Sequence, residues 1–313
     1  MKYNVLVSAP YLLNDIEKFR AELEGKNIAF DIYPVKERLE EEDLLKVIHK
    51  YDAIICGDDR FTPKVIDKAE KLKVIVKWGT GIDSIDKKYA ESKGVQVRNT
   101  LNAFTEPVSD SVLAMLLVFA RKVIESDRIM KNGGWRKAFG ITLSEVSIGI
   151  IGLGNIGRAV ARKLQPFNTK IYANDTAEIP TEVLENYKIE MTSLDDLVQK
   201  SDFVVVCCDL NSTSLHIINK EKLGLMKSNA IVINMARGPL INEKDLIEAL
   251  ENKQIAGAGL DVFEEEPLFI DSPLRKMNNV LLSSHNVNAS PYYWNKVHRN
   301  SLNMLYQSLG IQE

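Results

Sequence analysis

The stretch that decides the fold is Val146-Ser147-Ile148-Gly149-Ile150-Ile151-Gly152-Leu153-Gly154-Asn155-Ile156-Gly157, followed by Arg158-Ala159-Val160-Ala161. An apolar run reads as a buried strand, and Ile156–Leu164 reads as the helix after it. Between them lies G-x-G-x-x-G. The first glycine permits a tight turn, and the second lets backbone approach a pyrophosphate. The third lets helix and strand pack closely, with phosphate at the helix N-terminus. A further strand, Lys170–Asn174, ends at Asp175, eighteen residues beyond Gly157. A carboxylate there suits a ribose 2′-hydroxyl and repels a 2′-phosphate, and no arginine follows in Asn174-Asp175-Thr176-Ala177. The expected cofactor is therefore NAD. Taken without the glycines, Asp175 would be an ordinary strand-end turn residue.

Outward from this motif, strand-like runs continue at Phe203–Cys207, Ala230–Asn234, Ile255–Leu260 and Asn279–Ser283. Ser193 and Asn242 stand as helix N-caps, each with acidic residues in the turn that follows. Before the motif, Asn4–Ala9, Ala53–Cys56, Val74–Trp78 and Val95–Val97 alternate with helical segments near 15–24, 41–51, 63–71 and 86–93. Alternation of this kind predicts two parallel-sheet α/β domains. Thr105 and Pro107 offer a cap and a first-turn proline for a long helix with Val112, Met115, Leu116 and Phe119 on one face. A helix of that length suits a connection between two lobes.

The chain has 313 residues, too many for one ordinary core. Forty basic and forty-three acidic residues give a net charge of -3, which argues against a broad nucleic-acid footprint. No apolar run approaches the ~20 residues of a membrane span, and the N-terminus lacks a signal-peptide layout. Cys56, Cys207 and Cys208 fit neither a disulfide framework nor a metal site. Reduced thiols in a cytoplasmic protein are the expectation.

Hydride transfer to a 2-oxo acid needs a proton donor, a carboxylate holder and a group that orients the donor. The four histidines are His49, His216, His285 and His298. Only His285 directly follows a strand of the second series, where ligands bind in such sheets. Arg237 stands just past Ala230–Asn234, and an acidic run, Glu264-Glu265-Glu266, follows Ile255–Leu260. Position alone does not choose among the three glutamates.

Together these segments resemble the D-isomer-specific 2-hydroxyacid dehydrogenase family, and the resemblance covers nearly the whole chain. It rests on GTGIDSID at Gly79–Asp86, the GLGNIG run, INMARGPL at Ile233–Leu240, GLDVFEEEP at Gly259–Pro267 and the strand-end histidine. It implies a flavodoxin-like substrate domain, residues 1–101 and 286–313, around a Rossmann NAD-binding domain, residues 102–285. It also implies a homodimer joined through the cofactor lobe, with a small-molecule 2-hydroxy or 2-oxo acid as partner.

The resemblance assigns catalysis to Arg237, Glu266 and His285. Arg237 would bind the substrate carboxylate and polarise its carbonyl. Glu266 would fix the tautomer of His285 and favour its protonated form. His285 would exchange the proton with the substrate oxygen. Thr80, Gly81 and Ile82 would hold the carboxylate through backbone amides. Gly152, Gly154, Asn155, Ile156, Gly157, Asp175, Ala236 and Asp261 would contact the cofactor, Asp261 at the nicotinamide carboxamide. A turn cap is the other reading of Asp261.

Three departures stand out. Cys207-Cys208-Asp209 replaces a His-Pro loop, Ser284 precedes the histidine where proline is usual, and Met235 replaces threonine. The pattern implies oxidation of 3-phosphoglycerate, reduction of glyoxylate, hydroxypyruvate or a larger 2-oxo acid, or an NAD(H)-responsive binding protein. Arg60 and Lys77 are the cations available for a phosphate, and Trp78 could line a less polar pocket.

Overall fold

The computed structural model describes residues 3–311, which divide into two units with breaks between Phe104 and Thr105 and between Asn288 and Ala289. The first unit holds β1 (Tyr3–Val7), β2 (Ile28–Ile32), β3 (Ala53–Cys56), β4 (Val74–Lys77) and β5 (Gln96–Asn99). All pair in parallel, in the order β2-β1-β3-β4-β5. The central strands β3 and β4 are buried along their whole length, as a sheet covered on both faces requires. β2 and the final helix, Pro291–Ser308, have no counterpart in the strand and helix runs expected from sequence.

The second unit holds β6 (Ser147–Ile151), β7 (Lys170–Asn174), β8 (Ile189–Met191), β9 (Phe203–Val206), β10 (Ile231–Asn234), β11 (Gly257–Leu260) and β12 (Val280–Leu282). The seven strands are parallel, in the order β12-β11-β10-β9-β6-β7-β8. Both units are thus the parallel α/β layers expected from the alternating runs. In each, the chain builds outward from a central pair and then reverses. The reversal lies between β6 and β9 in the larger sheet and between β1 and β3 in the smaller, and ligands gather beyond the strand ends at such points.

The long helix spans Thr105–Ala120 and so begins at Thr105 itself rather than after it. Its Phe119 and Met115 cover β11, which is built of Gly257-Ala258-Gly259-Leu260. A Cβ on Gly259 would stand 3.2 Å from the Phe119 ring and 3.4 Å from Met115 Sδ, so the strand's glycines make room for the helix. Ser193 and Asn242 cap their helices as read from sequence, accepting from the amides of Asp196 and Asp245 at 3.1 Å each. Among the described residues no helix is long and apolar enough to cross a membrane.

Candidate active site

The three glycines after β6 do three different things. Gly152 takes φ +94°, a conformation that side chains rarely adopt, and a Cβ there would lie 2.6 Å from the Cys208 amide nitrogen. The turn therefore lies flat against the loop that leaves β9. Gly157 sits under the strand, where a Cβ would be 2.0 Å from the Gly152 carbonyl oxygen. A Cβ on Gly154 would meet nothing within 4 Å, and Gly154 and Asn155 are exposed where the helix Asn155–Leu164 begins. That open ground beside a helix N-terminus is what a pyrophosphate needs.

Asp175 follows β7 and braces this turn. Its carboxylate accepts from the Leu153 amide at 2.6 Å and from the Ala177 amide at 2.8 Å. The residues present fit a dinucleotide: a flat turn, an open second glycine and a carboxylate fixed at the end of the next strand. Cys207 and Cys208, where the sequence departs from the family's His-Pro, supply the backbone against which Gly152 packs. Burial pushes the Cys208 thiol up to about 11, so it stands as a neutral packing group.

Around the ends of β10, β11 and β12 the chain builds a second cluster. Asn234, the last residue of β10 and almost fully buried, accepts from the Ala236 amide at 3.1 Å and donates to the Arg237 carbonyl at 2.8 Å. Those two bonds shape the turn that presents Arg237, whose Nη1 donates to the Ala236 carbonyl at 2.9 Å. Gly238 explains why glycine follows the arginine. A Cβ there would fall 1.9 Å from the Phe263 carbonyl carbon, so only glycine lets the β10 turn lie on the loop after β11.

That loop carries the acidic run, and its members have different fates. Glu264 reaches His216 Nε2 at 2.7 Å, and Glu265 is exposed. Glu266 turns inward. One oxygen accepts from the Phe263 amide at 3.0 Å, and the other lies 2.9 Å from His285 Nδ1. Glu266 thus anchors itself to its own loop and commits one nitrogen of the imidazole.

His285 follows β12 with φ +51°, which is uncommon for a residue with a side chain. Asp261 holds it there. The Asp261 carbonyl accepts from the His285 amide at 2.8 Å, and its fully buried carboxylate accepts from the amides of Asn286 at 2.8 Å and Val287 at 3.3 Å. The cap reading of Asp261 is therefore visible in the fold, and it serves the histidine loop. Asn234 was missed as an organiser of the site. It ends a buried strand, and that position was the available signal.

Thr80, Gly81 and Ile82 lie in the first unit, on the turn after β4. Gly79 opens it at φ +120°, and the Thr80 hydroxyl donates to the Thr100 carbonyl at 3.1 Å. Asn99, which ends β5, donates through Nδ2 to the Thr80 carbonyl at 2.6 Å. The amides of Thr80, Gly81 and Ile82 meet no acceptor among the described residues. Three adjacent donors on a tethered turn suit a carboxylate.

Residues 113–287 match the model of the NAD-binding domain of D-isomer specific 2-hydroxyacid dehydrogenases. The chain belongs to that family. It is 37% identical over 272 residues to a glyoxylate reductase of Pyrococcus horikoshii, covering 83% of this chain and 80% of the relative. A D-3-phosphoglycerate dehydrogenase of Methanocaldococcus jannaschii is 40% identical over 251 residues, 79% of this chain but 48% of that longer protein. In three dimensions the fold matches a D-lactate dehydrogenase from Aquifex aeolicus, solved with NAD and lactic acid. The TM-score is 0.88 at 23% identity, over 98% of this chain and 95% of that one. This member of the family is an NAD-dependent oxidoreductase of 2-hydroxy acids, with a Rossmann unit for its cofactor.

Proposed function

We propose that the chain reduces small-molecule 2-oxo acids to D-2-hydroxy acids at the expense of NADH, and catalyses the reverse oxidation, through Arg237, Glu266 and His285. The observation that carries this reading is the 2.9 Å contact between His285 Nδ1 and Glu266, built on the loops that follow β11 and β12. NADH supplies the hydride. With Nδ1 committed to Glu266, His285 exchanges the substrate's proton through Nε2: it gives the proton to the carbonyl oxygen in reduction and takes it from the hydroxyl in oxidation. Arg237 pairs with the substrate carboxylate and draws electron density toward the carbonyl oxygen as charge develops. The amides of Thr80, Gly81 and Ile82 bind a carboxylate in the first unit, which serves as the substrate domain, while the second serves as the NAD-binding domain.

On the cofactor side, Gly152, Gly154, Asn155, Ile156 and Gly157 cradle the pyrophosphate and Asp175 takes the adenine ribose. Ala236 and Asp261 complete the nicotinamide end, Asp261 through the loop it fixes. Glyoxylate and hydroxypyruvate are the first acids to try, because relatives named glyoxylate reductase align over most of their length. A panel of 2-oxo acids, with NADH oxidation followed by absorbance, tests the proposal. Turnover of at least one acid, with NADH favoured over NADPH, supports it. Failure of every acid while NADH still binds contradicts it and favours a cofactor-responsive binding protein.

The protein is further proposed to act as a homodimer in the cytoplasm. Trp135 and Phe139 of the second unit are 89% and 87% exposed, and Met130, five residues before Trp135, is 52% exposed. Large apolar side chains this exposed within ten residues of sequence call for a covering surface, and a second copy offers the same segment in return. Replacing both with aspartate should halve the mass measured by light scattering. Free Cys56, Cys207 and Cys208 agree with a reducing compartment.

A further inference from the structure

At the carboxyl edge of the first unit's sheet the chain gathers an aromatic cluster that proton and hydride transfer do not themselves require. Tyr11 follows β1, Trp78 follows β4, and Trp294 lies in the first turn of the helix Pro291–Ser308. Ring centroids are 5.1 Å apart for Tyr11 and Trp78, 4.9 Å for Tyr11 and Trp294, and 5.9 Å for Trp78 and Trp294. Trp78 is fixed from behind. Its indole N–H donates to Nδ1 of the fully buried His298 at 2.8 Å, and His298 Nε2 lies 3.4 Å from Asp15. Desolvation holds the imidazole below its ordinary value, which keeps it neutral and able to accept. Tyr11 and Trp294 are only half-buried, so the cluster of mutually tilted rings presents part of its aromatic surface outward. Trp78 is also two residues from Thr80, the first amide of the proposed carboxylate loop.

Charge at the same edge points the same way. Lys77 is almost fully buried and pairs with Asp58 at 2.9 Å. Asp59, beside it, is buried too, accepting from the Ser8 hydroxyl and from the Leu39 amide. Two carboxylates thus stand against one ammonium where a phosphate would need net positive charge. Arg60 lies 4.0 Å from Glu40.

We infer that this aromatic wall receives the substrate's side chain, and that the preferred 2-oxo acid carries an uncharged apolar group, an aromatic ring or branched alkyl chain, rather than a phosphate. The inference rests on the reading of the active site proposed above and adds the substrate class to it.

The test compares kcat/KM of the intact protein with NADH for phenylpyruvate, 4-methyl-2-oxopentanoate, glyoxylate and 3-phosphohydroxypyruvate. One of the first two should exceed glyoxylate by about tenfold and 3-phosphohydroxypyruvate by about a hundredfold, the range that apolar contacts and a misplaced charge command. Tyr11→Leu and Trp294→Leu should each lower kcat/KM for the preferred acid by about tenfold, mainly through KM, and leave glyoxylate within about twofold. Trp294→Phe, which keeps a ring and so guards against misfolding, should fall between wild type and Trp294→Leu. Asp58→Asn, which frees the Lys77 charge, should raise the rate with the phosphorylated acid. Preference for 3-phosphohydroxypyruvate, or an equal loss with every acid in the ring variants, overturns the inference. Turnover of glyoxylate alone overturns it while leaving the proposed reaction standing. No turnover of any acid, with NADH bound, removes both.

Discussion

In the larger sheet the loop leaving β6 carries Gly152, which lies so low that a Cβ would strike the Cys208 amide at 2.6 Å. In the smaller sheet the loop leaving β1 carries Pro10, and the glycine sits opposite, at Gly57 after β3. A Cβ on Gly57 would stand 2.8 Å from Pro10 Cδ. Each sheet therefore spends one glycine where its strand order reverses, but on opposite strands. In the larger sheet the first-strand loop is flattened, and a ten-residue helix follows with open ground at Gly154. In the smaller, a proline without an N–H fills the same place, and the helix after it is four residues long, Pro10–Leu13. A parallel sheet with a reversal is thus not enough to bind a dinucleotide. The glycine must be on the first strand's loop, and amides must follow it.

Paired substitutions test this contrast. Gly152→Val should weaken NADH binding by at least about a hundredfold, because the new side chain meets both the positive φ and the Cys208 backbone. Gly57→Ala should cost about 1–3 kcal/mol of stability by displacing Pro10, with NADH affinity unchanged. Titration calorimetry and thermal melts separate the two. Equal losses of NADH affinity would break the contrast.

Asp175→Ser probes the same loop more gently. It removes the acceptor for Leu153 and the charge that repels a 2′-phosphate, so both cofactors should bind less well. The NADH:NADPH preference should fall by about 10- to 100-fold. An unchanged ratio would show that Asp175 serves the turn alone.

The smaller sheet has its own buried carboxylate. Burial pushes Asp59 up to about 6, above its ordinary 3.8. The folded state then holds a proton that the unfolded chain has lost, and stability falls as pH rises from about 4 through about 6. The loss is about 3 kcal/mol over that window. Asp59→Asn should lack this decline in urea melts across the same range. A wild-type profile that is flat, or that rises with pH there, would contradict it.

Central strands were legible from sequence because burial on both faces makes them continuous apolar runs, as in Phe203–Val206 and Ala53–Cys56. The edge strands were not. Ile28-Ala29-Phe30-Asp31-Ile32 is buried only at its start, and Ile189-Glu190-Met191 has an exposed centre, so neither shows the run or a clean alternation. Within the site, the glycine run could be read residue by residue, since each glycine answers a backbone demand that strand and helix already impose. The acidic run could not. Position does not separate Glu264, Glu265 and Glu266; the family resemblance selects Glu266, and in the fold that residue is the one facing His285. Asn234 escaped for a similar reason: a polar side chain ending a strand shows its purpose only when the next loop folds back onto it.

Activity of His285→Ala, measured with whichever 2-oxo acid the panel identifies, bears most directly on the central claim that the cluster in the second unit carries out proton transfer. The account predicts a fall in kcat of about a hundredfold to ten-thousandfold, with NADH affinity within about twofold of wild type. Activity within tenfold of wild type, at unchanged NADH affinity, would contradict it.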